Sequence, residues 1–280
     1  MRSSKQRLAA CLGLAMACSL PLNTLAHEMG LQLYSVRNQM EKDVPGTLST
    51  VRDWGISYLE AGGNLHGYAL PEFKALLDLN GFEVVSVDSS FEEIRDNPMQ
   101  AVYKAHFYGA KLATIYWAPH GEKFTLDDAK KTVQVLNNGG AILATHGITL
   151  QYHPHGYEFD KWEDGTLLDY IIQNTTNATF EMDVFWIKQG AQDPLALLEK
   201  YPTKFTSMHL KDRAKGSPYT SDGSADRDTM VVLGQGDVGI EEVVKLGKEY
   251  GVKYFFIEDE SDRVMEQVPK SIDYLKSINF

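Results

Sequence analysis

Thiols are nearly missing from this chain. Its two cysteines, Cys11 and Cys18, both lie in the N-terminal segment. Whatever folds beyond them has no disulfide, no cysteine metal ligand and no cysteine nucleophile. Positive charge is also scarce: 27 Lys and Arg face 38 Asp and Glu, a net charge of −11. That balance opposes binding to nucleic acid or to an anionic membrane, both of which need a basic footprint. One long apolar run exists, Leu8 to Leu22, and it falls short of the ~20 residues that span a bilayer. No low-complexity tract or linker breaks the rest.

Arg2, Lys5 and Arg7 precede that run, and Thr24-Leu25-Ala26 follows it with small residues suited to cleavage. This is the pattern of a secretory signal peptide over residues 1–26, leaving residues 27–280 as the mature chain in the bacterial periplasm. Removal takes away three positive charges, so −11 becomes −14. An alternative is a lipid-modified Cys18 after Ala15-Met16-Ala17. The mature length suits one α/β barrel of ~250 residues as well as two small domains.

The spacing of apolar runs and glycines predicts eight strand–helix units. Strands are expected over Gly30–Val36, Ser57–Ala61, Glu83–Asp88 and Lys111–Trp117, and then at four segments ending in His153, Asp183, His209 and Glu258. Helices are expected over Gly46–Trp54, Pro71–Leu79, Pro98–Tyr108, Leu126–Thr145, Val238–Tyr250 and Val264–Ser277, several stopping at a glycine. Alternation of this kind specifies a parallel sheet with helices outside. Eight units favour closure into a single (β/α)8 TIM barrel. Gly234-Gln235-Gly236-Asp237-Val238-Gly239 fits the GxGxxG pattern of dinucleotide sites. It lies too near the C-terminus for the rest of a nucleotide-binding half to follow, so it is read as a loop and no nucleotide is expected.

In a parallel barrel the C-terminal strand ends converge on one mouth. His153, Asp183, His209 and Glu258 brought together there form a mixed N/O site for one divalent ion such as Mn, Co, Ni or Zn. Each has a competing role: a pocket histidine for His153, a helix N-cap for Asp183, a charged loop start for His209, and a solvated acidic run with Asp259 and Glu260 for Glu258. Pro154 fixes the backbone so that His155 shares the pocket as a partner of substrate or of His153. Glu158 is a candidate general base. Lys211 is a candidate oxyanion stabiliser, or a partner of Asp212. Glu60 is a candidate contact to substrate or metal-bound water. Trp117, His120 and Trp186 are candidate walls of a sugar platform, with core packing the alternative for Trp117.

Five motifs carry a resemblance: Gly30 to Arg37, Tyr152-His153-Pro154-His155-Gly156-Tyr157-Glu158-Phe159, Met182-Asp183-Val184-Phe185-Trp186, His209-Leu210-Lys211-Asp212, and the Leu233 to Gly236 loop. Together they resemble the sugar phosphate isomerase/epimerase superfamily of xylose isomerase-like TIM barrels, over essentially the whole mature chain. In the better-known epimerases of that fold, a strand-five glutamate ligand pairs with the strand-eight glutamate as two opposed acid/base groups. Here His153 takes the strand-five place and only Glu258 remains of the pair. The resemblance extends to a histidine-containing subgroup of lyases that cleave 3-keto-glycosides by elimination. It therefore implies a metal-dependent enzyme on a small carbohydrate; from the acidic charge and the lack of a later apolar span, no nucleic acid and no membrane insertion are expected. A ketone acidifies the adjacent C–H, a bound metal acts as Lewis acid and one base suffices. Alternatives are an isomerase or epimerase of an unphosphorylated ketose and a non-catalytic sugar-binding protein. Phosphodiester cleavage, as in the apurinic-site endonucleases of this fold, is disfavoured by the acidic charge and by export.

Overall fold

A computed structural model describes residues 28–280. The leader reading over residues 1–26 lies outside the described residues. Eight parallel strands close into a barrel in sequential order: β1 Glu28–Gln32, β2 Tyr58–Ala61, β3 Glu83–Ser89, β4 Leu112–Ile115, β5 Thr149–Tyr152, β6 Thr179–Asp183, β7 Phe205–Leu210 and β8 Tyr254–Ile257, with β8 pairing back onto β1. Helices Val44–Asp53 (α1), Leu70–Leu79 (α2), Met99–Tyr108 (α3), Leu126–Ala144 (α4), Leu167–Asn174 (α5), Pro194–Lys200 (α6), Ile240–Glu249 (α7) and Val264–Ser277 (α8) provide the crossovers that parallel neighbours require.

Local chemistry sets the element ends. Thr125 accepts the Asp128 N–H while the Asp128 carboxylate accepts the Thr125 N–H, a reciprocal cap that starts α4. Gly109, at φ 78°, ends α3 in the left-handed conformation that costs glycine little. Successive strand residues point to opposite faces. The outward set, including Leu31, Leu59, Leu150, Phe180, Met208 and Phe255, joins Val51, Phe73, Leu136, Ile172, Val243 and Ile272 of the helices in one apolar core. The inward set is largely polar. Ser86 and Thr114 hydroxyls lie 2.7 Å apart, Gln151 Nε2 donates to Ser207 Oγ at 2.8 Å, and Ser207 Oγ donates to Glu181 Oε1 at 2.6 Å. Tyr254, Phe256, Leu112 and Val85 form a separate apolar cluster.

The first strand is shorter than expected. Gln32 Oε1 accepts the Tyr34 N–H at 3.1 Å, and Leu33–Val36 turns into a 3-10 helix. The fourth strand stops at Ile115, so Tyr116 and Trp117 lie in the loop beyond it. Helix α7 begins at Ile240 because Gly239 adopts φ 82° just before it. The GxGxxG segment is a loop closed on Asp212, whose Oδ2 accepts the N–H groups of Gly234 and Gly236. The amides that a phosphate needs are thus already occupied. Among the described residues, no helix is long and apolar enough to cross a membrane.

Candidate metal centre and active site

The inward parity of β5 to β8 delivers the four expected ligands to one point. His153 follows Gln151, Asp183 follows Glu181, His209 follows Ser207 and Glu258 follows Phe256. His153 and Glu258 sit one residue past their strands, yet each still donates its N–H into the ladder, to Ile115 and Leu210. All four are buried, and one donor atom from each lies within 4.8 Å of the others. His153 Nε2 is 3.3 Å from Asp183 Oδ2 and 3.2 Å from His209 Nδ1, and His209 Nδ1 is 3.1 Å from Glu258 Oε2. Donors held ~2.0–2.2 Å from a tetrahedral ion are separated by about 3.4 Å. The set therefore fits one divalent cation.

Charge supports the same reading. Burial opposes ionisation of Asp183, but Lys211 and the two histidines override it and hold its carboxyl well below the usual range. Glu258 is lowered in the same way, burial being outweighed by Lys211 and His209. Burial alone pushes His209 down, yet Glu181, Glu258 and Glu60 reverse the sign and raise it well above an ordinary imidazole. The negative potential that holds a proton on His209 would equally favour a cation among the four donors. The two readings of Asp183 are both realised. Its Oδ1 caps the short helix Val184–Gln189 by accepting the Trp186 N–H at 2.9 Å, while Oδ2 faces the other ligands.

Behind these four side chains lies a further layer of buried charged groups. Glu60 does not line the cavity as expected, since its carboxylate is buried against His209 Nε2 at 2.5 Å. That contact presents Nδ1 to the metal position, the usual device for orienting a ligating imidazole. Glu181 is two residues before Asp183 on the same face, 3.2 Å from His209 Nε2, and burial and Glu60 raise its pKa well above the ordinary range. Lys211, expected at an oxyanion, is likewise behind the wall. Its Nζ lies 2.7 Å from Glu258, 2.9 Å from Glu260 and 3.4 Å from Asp183, and Asp212 is not its partner.

The cup opens into a cavity of about 470 Å³. Trp117 and Trp186 wall it with Tyr116, Gln32 and Tyr34, while Gly223, Ser224, Ala225 and Arg227 roof it. Trp117 is 46% exposed, which excludes core packing. His120 does not reach the cavity; its ring backs Trp117 at 4.9 Å and Tyr157 at 4.2 Å. His155 does line it, with Nδ1 3.3 Å from His153 Nδ1. If His153 binds metal through Nε2, its Nδ1–H donates to His155 Nδ1 and leaves His155 an Nε2–H donor. Burial and His153 hold His155 well below an ordinary imidazole pKa, so it is neutral.

Glu158 departs from expectation most. It is fully buried, accepts from Tyr152 Oη at 2.5 Å and from the Gly156 N–H at 2.9 Å, and does not line the cavity. Its geometry is that of a strut for the His153–Gly156 loop. Burial pushes its pKa up to about 7 against those hydrogen bonds. Gln32, Asp88, Tyr116 and Glu181 carry no motif in the sequence, and their inward parity on or just past β1, β3, β4 and β6 is the signal that marks them.

Residues 48–278 match the family model of the xylose isomerase-like TIM barrel. Among solved structures, a sugar phosphate isomerase/epimerase from Parabacteroides distasonis is 25% identical at a TM-score of 0.72, over 92% of this chain and 98% of that one. The probable 3-DHS dehydratase AsbF from Bacillus anthracis is 14% identical at a TM-score of 0.69, over 89% and 98%. The IOLI protein with a binding zinc atom is 13% identical at 0.65, over 90% and 96%. The last two share the fold. No curated protein matches the sequence.

Proposed function

The chain belongs to the xylose isomerase-like TIM-barrel family, and from that premise we propose that it is a divalent-metal-dependent carbohydrate enzyme that removes a proton beside a sugar carbonyl. The reaction that fits best is elimination from a 3-keto-glycoside. One observation carries the metal reading: the donor atoms of His153, Asp183, His209 and Glu258 converge beside a cavity walled by Trp117 and Trp186. The zinc atom of the IOLI protein, a neighbour in fold, supports it. The same sugar-sized cavity, in a family with sugar isomerase/epimerase relatives, supports a small carbohydrate as substrate.

Aromatic faces pack on the apolar faces of a sugar ring, the role assigned to Trp117 and Trp186. Tyr116 Oη already accepts from Gln32 Nε2 at 3.0 Å, which leaves its own proton for the ligand. His155 donates to a substrate oxygen through Nε2–H. Glu258 borders the cavity and is assigned as the base through Oε1, since Oε2 faces His209 and Lys211. A bound divalent ion supplies Lewis acidity that makes the C–H beside the carbonyl more acidic. A histidine at position 153 leaves Glu258 without the opposed carboxylate of two-base epimerases, which favours a reaction needing a single base.

Elemental analysis of purified protein, with His209→Ala beside it, tests the reading. Near one metal per chain, lost in the variant, together with turnover of 3-keto-glycosides over ketoses, is the expected result. Absence of metal after reconstitution refutes the proposal and leaves sugar binding without catalysis. Export to the periplasm is part of the same proposal, checked by fractionating cells that express the full chain.

A further inference from the structure

The cavity continues beyond its own wall. Over the Gly62-Gly63 turn it adjoins a groove of about 290 Å³ that passes Arg37, Asn64 and His66, and Asp88 borders both. On its other flank Asp88 faces a third hollow, against Ser90 and Lys104. A molecule reaching from cavity to groove therefore passes Asp88, together with Gln32 and Tyr34, which also border both. The Asp88 main-chain oxygen accepts from Lys104 Nζ at 2.5 Å, but side-chain Oδ1 is buried and has no hydrogen-bond partner among the described residues. Room for the carboxyl comes from a missing side chain: a Cβ on Gly63 lies 2.2 Å from Asp88 Oδ2. Burial, followed by Glu60, pushes the Asp88 pKa up to about 6, with Lys104 and His209 opposing and Glu258 adding to the rise. The phenols of Tyr108 and Tyr116, also near it, are both raised by burial and stay neutral.

Resting on the elimination reading above, we propose that Asp88 is the acid that releases the leaving group, with the keto-sugar ring in the cavity, the aglycone in the groove and the glycosidic oxygen between them at Asp88. The base takes the proton from C2, and the electrons of that C–H bond form a C1=C2 double bond. The C1–O bond breaks with its pair on oxygen, and the Asp88 carboxyl proton goes to that oxygen. The products are an unsaturated keto-sugar and a neutral alcohol. Glu258 then returns its proton to solvent and Asp88 takes one up, so the cycle closes without oxidant or reductant. An acid matters most where the leaving oxygen is basic, as in an alkyl glycoside, and little where it departs as a stable phenolate.

The test uses the metal-loaded enzyme with methyl and p-nitrophenyl 3-keto-glycosides. Asp88→Asn is expected to slow the methyl compound by roughly 10²–10⁴-fold and the nitrophenyl compound by less than about tenfold, with metal content unchanged. Wild-type turnover of the methyl compound falls as pH rises and Asp88 gives up its proton, and Asp88→Asn loses that limb. Gly63→Ala, which displaces the carboxyl by contact, reproduces the selectivity. Equal slowing of both compounds, an unaffected methyl compound, or loss of metal from Asp88→Asn overturns the role of Asp88 while the elimination reading stands. A wild type inert toward both compounds overturns the two together.

Discussion

Asp212 offers a direct test of why the Gly-rich segment is a loop. Its buried carboxylate accepts four main-chain N–H groups, from Arg213, Gly234 and Gly236 at 2.9 Å and from Val238 at 3.2 Å, two on each oxygen. Asp212→Asn keeps the volume but turns one acceptor into a donor. Whichever way the amide sits, two N–H groups then face an NH₂. Hydrogen bonds to a charged group contribute roughly 1.5–3 kcal/mol each, so losing two costs about 3–6 kcal/mol. At ~2–4 °C per kcal/mol for a chain of this size, the Tm falls by at least about 6 °C. Thermal unfolding followed by circular dichroism measures this, and limited proteolysis between residues 213 and 238 reports the loosened loop. Asp222→Asn is the control, because Asp222 is exposed and bonds only locally to Ser224. An Asp212→Asn Tm within about 2 °C of wild type, or a dinucleotide that stabilises the wild type, refutes the reasoning.

Asp183→Asn is expected to lose metal yet keep the cap on the Trp186 N–H, whereas Asp183→Ala loses both. In chelator the alanine variant is therefore about 1 kcal/mol less stable by urea unfolding, and coincident midpoints contradict the dual role. Glu158 has its pKa raised from 4.5 to about 7 in the folded protein, so the native state holds that proton more tightly than the unfolded chain. Its contribution is fully present below about pH 4.5 and is lost, by roughly 3 kcal/mol, as pH rises to 7. Glu158→Gln should flatten that part of the Tm-against-pH curve, and parallel curves count against it. In Gly30→Ala the added Cβ falls 2.6 Å from Phe256 Cδ1 and 2.7 Å from the Tyr58 carbonyl. Crowding of strands on both sides costs about 1–3 kcal/mol, read by calorimetry, and an unchanged Tm shows that the barrel yields there.

The barrel was legible because its signals are local. Buried parallel strands are short apolar runs, and glycine stops such as Gly109 mark the helices between them. The four ligands were legible because each ends such a run. Roles that depend on what stands opposite were not. Glu158 and His155 are three residues apart, yet one turns into the Tyr152 side and the other into the cavity. Lys211 has Asp212 beside it in sequence, but strand parity sends the lysine inward to Glu258 and the aspartate to the Gly-rich loop. The roof at Gly223 to Arg227 comes from a polar segment with no periodicity, and Gly223 is placed by its approach to Trp117 and Tyr157. Only the folded chain brings those together.

Lys211 has a consequence for how the protein matures. Small zinc domains draw their folding free energy from the metal, because their ligands repel or scatter without it. Here a resident ammonium lies within 2.7–3.4 Å of carboxylate oxygens from Asp183, Glu258 and Glu260, so the cup carries its own counter-ion from the moment the barrel closes. On the proposed metal reading, folding and loading are then separate events: the ion would enter a barrel that is already closed, and the rigidity of the strand ends, rather than the folding reaction, would set which ion is held.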